Sequence, residues 1–241
     1  MSGHSKWNNI KHKKEKADAA KAKIFTKIGK EMAIAIKAGG PDPSNNARLR
    51  DLIAKAKANN VPNENIQRTI KKFTDNSDIN YEEIIYEGYG PSGVAIIVET
   101  STDNRNRTAG NVRAWFNKYG GNLGQTGCVS FLFEDKGVIT IIDEDEEIDE
   151  DKIMEDSLEC GAEDIKCEEG EYTIYTSVDD LDAVRDAIIA LGYKIDTADV
   201  AKVPSTYVEL TSEEDIENME KMLEKFNEDD DVNAVYHNWD N

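Results

Sequence analysis

The chain has 241 residues, of which 39% are hydrophobic and 32% charged, so it is long enough for two or three domains and too apolar to be disordered throughout. No apolar run exceeds five residues, whereas a membrane helix needs about twenty, so we expect no membrane span. The net charge of -20 divides into +11 for residues 1–74 and -31 for residues 75–241, so the acidic total does not exclude a polyanionic partner for the first segment.

Residues 1–80 are predicted to form a basic helical domain with a mobile N-terminal arm. The arm, residues 1–14, is polar and basic. Apolar residues then recur at three- and four-residue steps over residues 16–38, which predicts a helix that a Gly-Gly-Pro sequence ends. A second helix is predicted to end at Asn59, and a third to begin with Asn63 as its N-cap.

From residue 81 the apolar period changes to two, which is typical of strands. The first predicted elements are a strand, a second strand, a helix and a third strand: 83–88, 94–100, 104–119 and 129–133. Residues 205–241 add a strand, a helix and a strand. Neither piece has enough strands to close a layer, so we predict one discontinuous α/β domain made of 81–135 plus 205–241.

The segment between these pieces, residues 136–204, reads as βαββαβ, the element order of a ferredoxin-like domain. It is also strongly acidic. The predicted fold class is therefore α+β: an N-terminal three-helix domain followed by two ferredoxin-like α/β domains, with the third inserted in the second.

Five lysines lie along one edge of the first predicted helix. At 100° per residue they fall within about 80° of one another. We call them the lysine rail: Lys16, Lys23, Lys27, Lys30 and Lys37. Like charges repel along a helix unless an anion neutralises them, and the spacing suits a nucleic-acid backbone. A solvated helix face, or attraction between the basic and acidic parts of the chain, would leave the same pattern.

The arm and the second helix extend this basic surface. The candidate residues there are Lys6, Trp7, Lys11, His12, Lys13 and Lys14 in the arm, and Arg48 and Arg50 on the helix. Basic residues interleaved with an aromatic fit a segment that follows phosphates or stacks on a base, although Trp7 could equally pack on the helices. We therefore expect a nucleic-acid partner for residues 1–80, either DNA or RNA, and consider a protein partner for the acidic body.

Arg105 and Arg107 open the helix predicted over 104–119, where Asp103 or Asn104 can cap it. They can bind an anion at the positive end of the helix or form interdomain ion pairs. The sequence shows no catalytic constellation and no metal or cofactor motif: the acidic run 143–151 lacks EF-hand spacing, and the three cysteines contain no CxxC pair. These features favour a reduced, cytoplasmic protein that is not an enzyme.

Several long motifs resemble the YebC/PmpR family, whose mitochondrial relatives include the translational activator of cytochrome c oxidase. They are GHSKWNNIKHKK (3–14), KIFTKI (23–28), NNARLRDLIAKAKANNVPNENIQRTIKK (45–72), YEGYGPSGVA (86–95), TDNRNRT (102–108) and GGNLG (120–124). The resemblance implies three domains, the third inserted in the second, and a non-enzymatic cytoplasmic protein.

The resemblance implies two different functions. Bacterial members are described as transcriptional regulators that bind DNA, and other members act in translation on the ribosome, where they relieve stalling at proline-rich stretches. We expect a transcriptional regulator that binds DNA through its basic N-terminal domain. The alternative is a ribosome-associated translation factor that contacts rRNA or tRNA, because lysine contacts to phosphate do not distinguish the two nucleic acids.

Overall fold

A computed structural model describes residues 14–75, 80–143, 148–168 and 170–240, with side chains from residue 23 onward. The chain divides into two compact units. One unit covers residues 131–206, and the other combines the residues before 131 with those from 207 onward. None of the described helices is both long and apolar enough to cross a membrane.

The described part of the chain contains seven α-helices and ten strands. The helices are α1 (Lys14–Gly39), α2 (Ala47–Ala58), α3 (Asn63–Thr74), α4 (Arg105–Lys118), α5 (Glu150–Glu159), α6 (Leu181–Ala190) and α7 (Glu213–Glu228). The strands are β1 (Glu82–Tyr89), β2 (Ala95–Thr102), β3 (Asn122–Leu123), β4 (Phe133–Ile142), β5 (Asp164–Glu168), β6 (Glu171–Thr176), β7 (Thr197–Pro204), β8 (Val208–Glu209), β9 (Val232–His237) and β10 (Trp239–Asp240).

Helices α1, α2 and α3 pack around a small apolar cluster of their own. Its largest fully buried side chains are Ile28, Met32, Leu49 and Ile66. The Asn46 side chain caps α2 by accepting a hydrogen bond from the backbone N–H of Leu49 at 3.1 Å, and its amide donates to the end of α1. The amphipathic spacing of all three helices therefore produces the predicted bundle.

The split α/β sheet of the same unit has the strand order β3-β1-β2-β9. Every neighbouring pair in it is antiparallel. Helices α4 and α7 pack on this sheet around Phe116 and Phe226, whose ring centroids lie 5.3 Å apart. The strand arrangement matches a ferredoxin-like sheet with permuted connectivity. Strand β1, which comes first in this part of the chain, has the sheet position that the third strand of a βαββαβ chain has in a ferredoxin-like fold.

The unit of residues 131–206 has the strand order β5-β6-β4-β7, and all of its neighbouring strands are antiparallel. Helices α5 and α6 contribute Ile153, Val184 and Ile188 to its core. The order and the βαββαβ connectivity are those of a ferredoxin-like fold. The predicted fold class is thus confirmed in both α/β layers.

Two local predictions, the strand at 129–133 and Asn63 as an N-cap, are wrong. Residues 130–132 form a 3₁₀ turn instead of a strand, and β4 then runs without a break from Phe133 to Ile142. The charged stretch 134–136 does not interrupt β4, because its side chains pair with other strands, as Asp135 does with Lys202 at 2.7 Å. Asn63 is the first residue of α3 and not its cap, because Pro62 occupies the cap position.

Candidate nucleic-acid interface

Much of the predicted basic arm falls outside the residues that the structure describes. These positions are Lys6, Trp7, Lys11, His12 and Lys13. Lys14 and Lys16 lie in the first turns of α1, but the structure describes no side chains there. The part of the interface that can be described therefore begins at Lys23.

Three residues of the lysine rail contact the C-terminal end of α7 and the loop that follows it. We call residues 227–231 the α7 C-terminal segment. The contacts are Lys23 Nζ to the Glu228 carbonyl oxygen at 3.1 Å, Lys27 Nζ to the Asn227 carbonyl oxygen at 3.5 Å, Lys30 Nζ to the Asp230 carbonyl oxygen at 2.9 Å, and Lys30 Nζ to Asp231 Oδ1 at 2.6 Å. The last carbonyls of a helix carry partial negative charge, which explains why a row of ammonium groups binds there.

Asp231 is the centre of this contact, and its side chain is 5% exposed. Its carboxylate accepts hydrogen bonds from Lys30 at 2.6 Å, Arg107 at 2.6 Å, Thr108 at 2.8 Å and Thr102 at 3.1 Å. Its own carbonyl oxygen accepts from the N–H of a β2 residue at 2.8 Å. A single carboxylate therefore joins α1, β2 and α4.

The titration of Asp231 reflects these partners. Burial alone raises the pKa of its carboxyl group, but the hydrogen bonds from Lys30, Arg107 and Thr108 outweigh burial and bring the pKa down to about 2. In turn, hydrogen bonds to Asp231 and Asp103 raise the pKa of Arg107. Asp231 and Arg107 are therefore both charged at neutral pH.

Lys27 has a less favourable position than Lys30. Burial lowers the pKa of Lys27, and the neighbouring charge of Lys23 lowers it further, because both disfavour the ammonium form. A cavity of about 410 Å³ opens beside the network and is lined by Lys30, Tyr81, Asp103 and Arg107 together with residues 228–231. The cavity carries more carboxylates than cations, so it does not suit a phosphate group.

The other predicted cations have different surroundings. Arg107 forms ion pairs with Asp103 and Asp231, while Arg105 is exposed on the first turn of α4, which Asn104 caps. Arg48 forms an ion pair with Glu83, and Lys37 contacts the Asn80 side chain. Arg50 is exposed, with Asp51 3.9 Å away. The structure thus brings part of the predicted site together with carboxylates of the same chain and leaves Arg50 and Arg105 open to solvent.

A second basic surface faces outward from α3. Arg68, Lys71 and Lys72 fall within about 100° of arc opposite the inward-facing Ile66 and Ile70. All three are exposed, and we call them the α3 basic face. On α2, the exposed cations Arg50 and Lys57 lie seven residues apart and therefore share one side of the helix.

Sequence reasoning did not place Asp231, Lys71 or Lys72 in the candidate site. The signal for the α3 basic face was available, because the helical wheel that places Ile66 inward also places Arg68 outward. Asp231 carried only a weak signal, the run of three aspartates at 229–231 after the predicted end of α7. Nothing in that run distinguishes the buried Asp231 from the exposed Asp230.

Comparisons with known proteins match the whole chain. A family model described as "TACO1/YebC protein N-terminal domain" matches residues 5–76, and one described as "TACO1/YebC second and third domain" matches residues 81–239. The chain is 55% identical to a "Probable transcriptional regulatory protein" of Acetivibrio thermocellus over 99% of both chains. It is 54% identical to a protein of the same name from Agathobacter rectalis over 100% of both.

A solved structure gives the same result. The crystal structure of a conserved hypothetical protein, Aq1575, from Aquifex aeolicus superposes with a TM-score of 0.85 at 43% identity, covering 98% of this chain and 97% of that one. The fold and the site therefore define a mixed α/β protein with a basic helical bundle at its N-terminus. The chain belongs to the TACO1/YebC family, as its motifs predicted.

Proposed function

We propose that the protein is a non-enzymatic regulator of transcription in the cytoplasm that binds nucleic acid through its basic helical domain, residues 1–80. The observation that carries the proposal is the α3 basic face, because exposed cations on a rigid helix can approach a phosphate backbone without rearrangement. The names of the curated relatives support a role in transcription.

The remaining domains have a different role in this proposal. The predicted limits are 81–135 plus 205–241 for the discontinuous domain and 136–204 for the inserted one. Residues 75–241 have a net charge of -31 and repel phosphate, so they orient the helical domain or contact another protein. Binding is expected to show weak sequence preference, because lysines position a protein on the backbone more than they read bases.

The proposal is tested by the salt dependence of binding to a labelled random-sequence duplex, measured with the full-length protein. The variant R68Q/K71Q/K72Q removes the α3 basic face and keeps residues that form helices well. It should bind more weakly than the wild type and lower the salt slope by up to about three, since each neutralised phosphate contributes about 0.9.

The matched control is K118Q/K152Q/K194Q, which removes the same charge from exposed lysines outside the helical domain. Equal effects of the two variants would refute a localised interface. A competition assay at about 150 mM salt, in which ribosomes compete with an excess of random duplex for the protein, distinguishes a role in transcription from a role on the ribosome. A preference for ribosomes over every duplex would replace the transcriptional role with the ribosome-associated one.

A further inference from the structure

The α7 C-terminal segment and a phosphate backbone bind the same chemical group, the ammonium groups of the lysine rail. An ammonium group binds nucleic acid by donating to anionic oxygens, and Lys30 already donates to oxygens of Asp230 and Asp231. Lys23 and Lys27 likewise point at carbonyl oxygens of the α7 C-terminal segment. Each contact uses N–H donors of a lysine and places oxygen atoms that carry negative charge beside its ammonium group, so a phosphate has to compete with the segment for the same cation.

The described contacts between the rail lysines and the α7 C-terminal segment are polar. The apolar cluster of the helical bundle draws its residues from 24–73, and the cluster of the split sheet draws its residues from 86–239. Neither described cluster includes residues of the other side. The helical bundle and the split sheet belong to one compact unit, and the Phe73 ring packs edge-on against Tyr81 with centroids 6.1 Å apart. Release of the lysines therefore requires a change of side-chain rotamer and not separation of the bundle from the sheet.

The contacts along the rail differ in strength. Among the described residues, Lys23 and Lys27 donate to backbone carbonyl oxygens at the surface, one of them at 3.5 Å, and burial disfavours the charged form of Lys27. Lys30 forms the one short ion pair with a buried carboxylate among the described residues of the rail. Release of all three lysines therefore depends mainly on one ion pair.

We propose that the α7 C-terminal segment is an internal competitor of nucleic acid: it holds Lys23, Lys27 and Lys30 in the free protein and releases them to the phosphate backbone on binding. The inference rests on the proposed function. The α3 basic face makes the first contact, because it is already exposed. The released lysines then add further phosphate contacts, so the acidic body sets how tightly the helical domain binds.

The test measures affinity for a short random-sequence duplex by fluorescence anisotropy with the full-length protein. The variant D229N/D230N removes two charges that attract Lys27 while it keeps the shape of both side chains. It should bind about threefold to tenfold tighter, which is the change in affinity expected when two weak attractions between charges are lost. E213Q/E214Q removes the same charge from the opposite end of α7 and serves as the control. D231N should give a larger gain if it folds.

The decisive comparison repeats these measurements in the rail variant K23Q/K27Q/K30Q. The proposal requires that the gain from D229N/D230N disappear in this background and that the rail variant have a lower salt slope than the wild type. A gain of equal size with and without the rail, or an equal gain from E213Q/E214Q, would overturn the inference, since the effect would then be one of net charge.

If the wild type binds but D229N/D230N gives no gain, only the competition fails. If no form of the protein binds nucleic acid, the proposed function fails together with it.

Discussion

Asp231→Asn is the substitution whose effect follows most directly from the structure. The variant keeps the shape of the side chain but removes the charge that holds Lys30 and Arg107. Since the ordinary pKa of 3.8 falls to about 2 in the folded protein, the charged form contributes about 2 kcal/mol to the free energy of unfolding at neutral pH. Loss of one partner from a buried ion pair adds to this, so the total destabilisation at neutral pH reaches about 3–5 kcal/mol.

The sign of the pH dependence is fixed by the direction of the pKa change. The folded-state pKa of Asp231 is depressed, so its contribution is fully present above the unfolded value of 3.8 and is lost as pH falls toward about 2. The difference in unfolding free energy between the wild type and Asp231→Asn should therefore shrink by about 2 kcal/mol between about pH 5 and pH 2.

The assay is urea unfolding followed by tryptophan fluorescence over this pH range. Trp115 and Trp239 belong to the unit that contains Asp231, so their signal reports that unit. Asp240→Asn, at an exposed carboxylate, serves as the control and should leave the pH profile unchanged. A constant difference between wild type and Asp231→Asn across the range would show that the Asp231 network does not depress its pKa, and the reasoning would be refuted.

Two further predictions concern packing and a buried carboxylate. Phe226→Ala should reduce the free energy of unfolding by about 3–5 kcal/mol, because the ring is fully buried and packs edge-on against Trp115. Urea denaturation measures this loss, and a loss no larger than that of Glu224→Ala at an exposed position would contradict the prediction. Glu87→Gln should speed amide hydrogen exchange in residues 127–130 at least about tenfold, because the Glu87 carboxylate accepts hydrogen bonds from three backbone N–H groups of that loop. Unchanged exchange rates would contradict this prediction.

Most of the secondary structure could be predicted from apolar spacing. Strand β6, residues 171–176, is one of the four strands that the element order βαββαβ predicted for residues 136–204. Helix α7 is the helix predicted between residues 205 and 241. It begins after Ser212, whose side chain accepts a hydrogen bond from the Asp215 N–H at 3.5 Å and caps the helix. These elements were predictable because their apolar periods agree with the tertiary packing.

Other elements were not predictable, because long-range pairing decides them. Strand β3 has two residues and exists through its pairing with β1, where Gly88 lies opposite Leu123. The predicted C-terminal strand is divided at Asn238, whose side chain accepts from the N–H of Ala95 at 2.7 Å. No local pattern in the sequence indicates either pairing.

The candidate site was predictable in composition but not in its internal contacts. The lysine rail follows from the 3.6-residue period, whereas the partner of Lys30 lies 201 residues away in the sequence. The division of charge along the chain has two interpretations, binding of a polyanionic partner or attraction between the basic and acidic parts of the chain. The contact between Lys30 and Asp231 is an instance of the second, and the exposed α3 basic face is compatible with the first.

The central claim, that the basic helical domain binds nucleic acid, is tested most directly by ultraviolet crosslinking of the full-length protein to cellular nucleic acid, followed by mass-spectrometric mapping of the crosslinked peptides. The account predicts crosslinks within residues 1–74, where the chain carries a net charge of +11, including the peptide that contains Lys71 and Lys72. Crosslinks confined to residues 81–240 would contradict it, because that part of the chain repels phosphate overall and would then have to bind nucleic acid by a different surface.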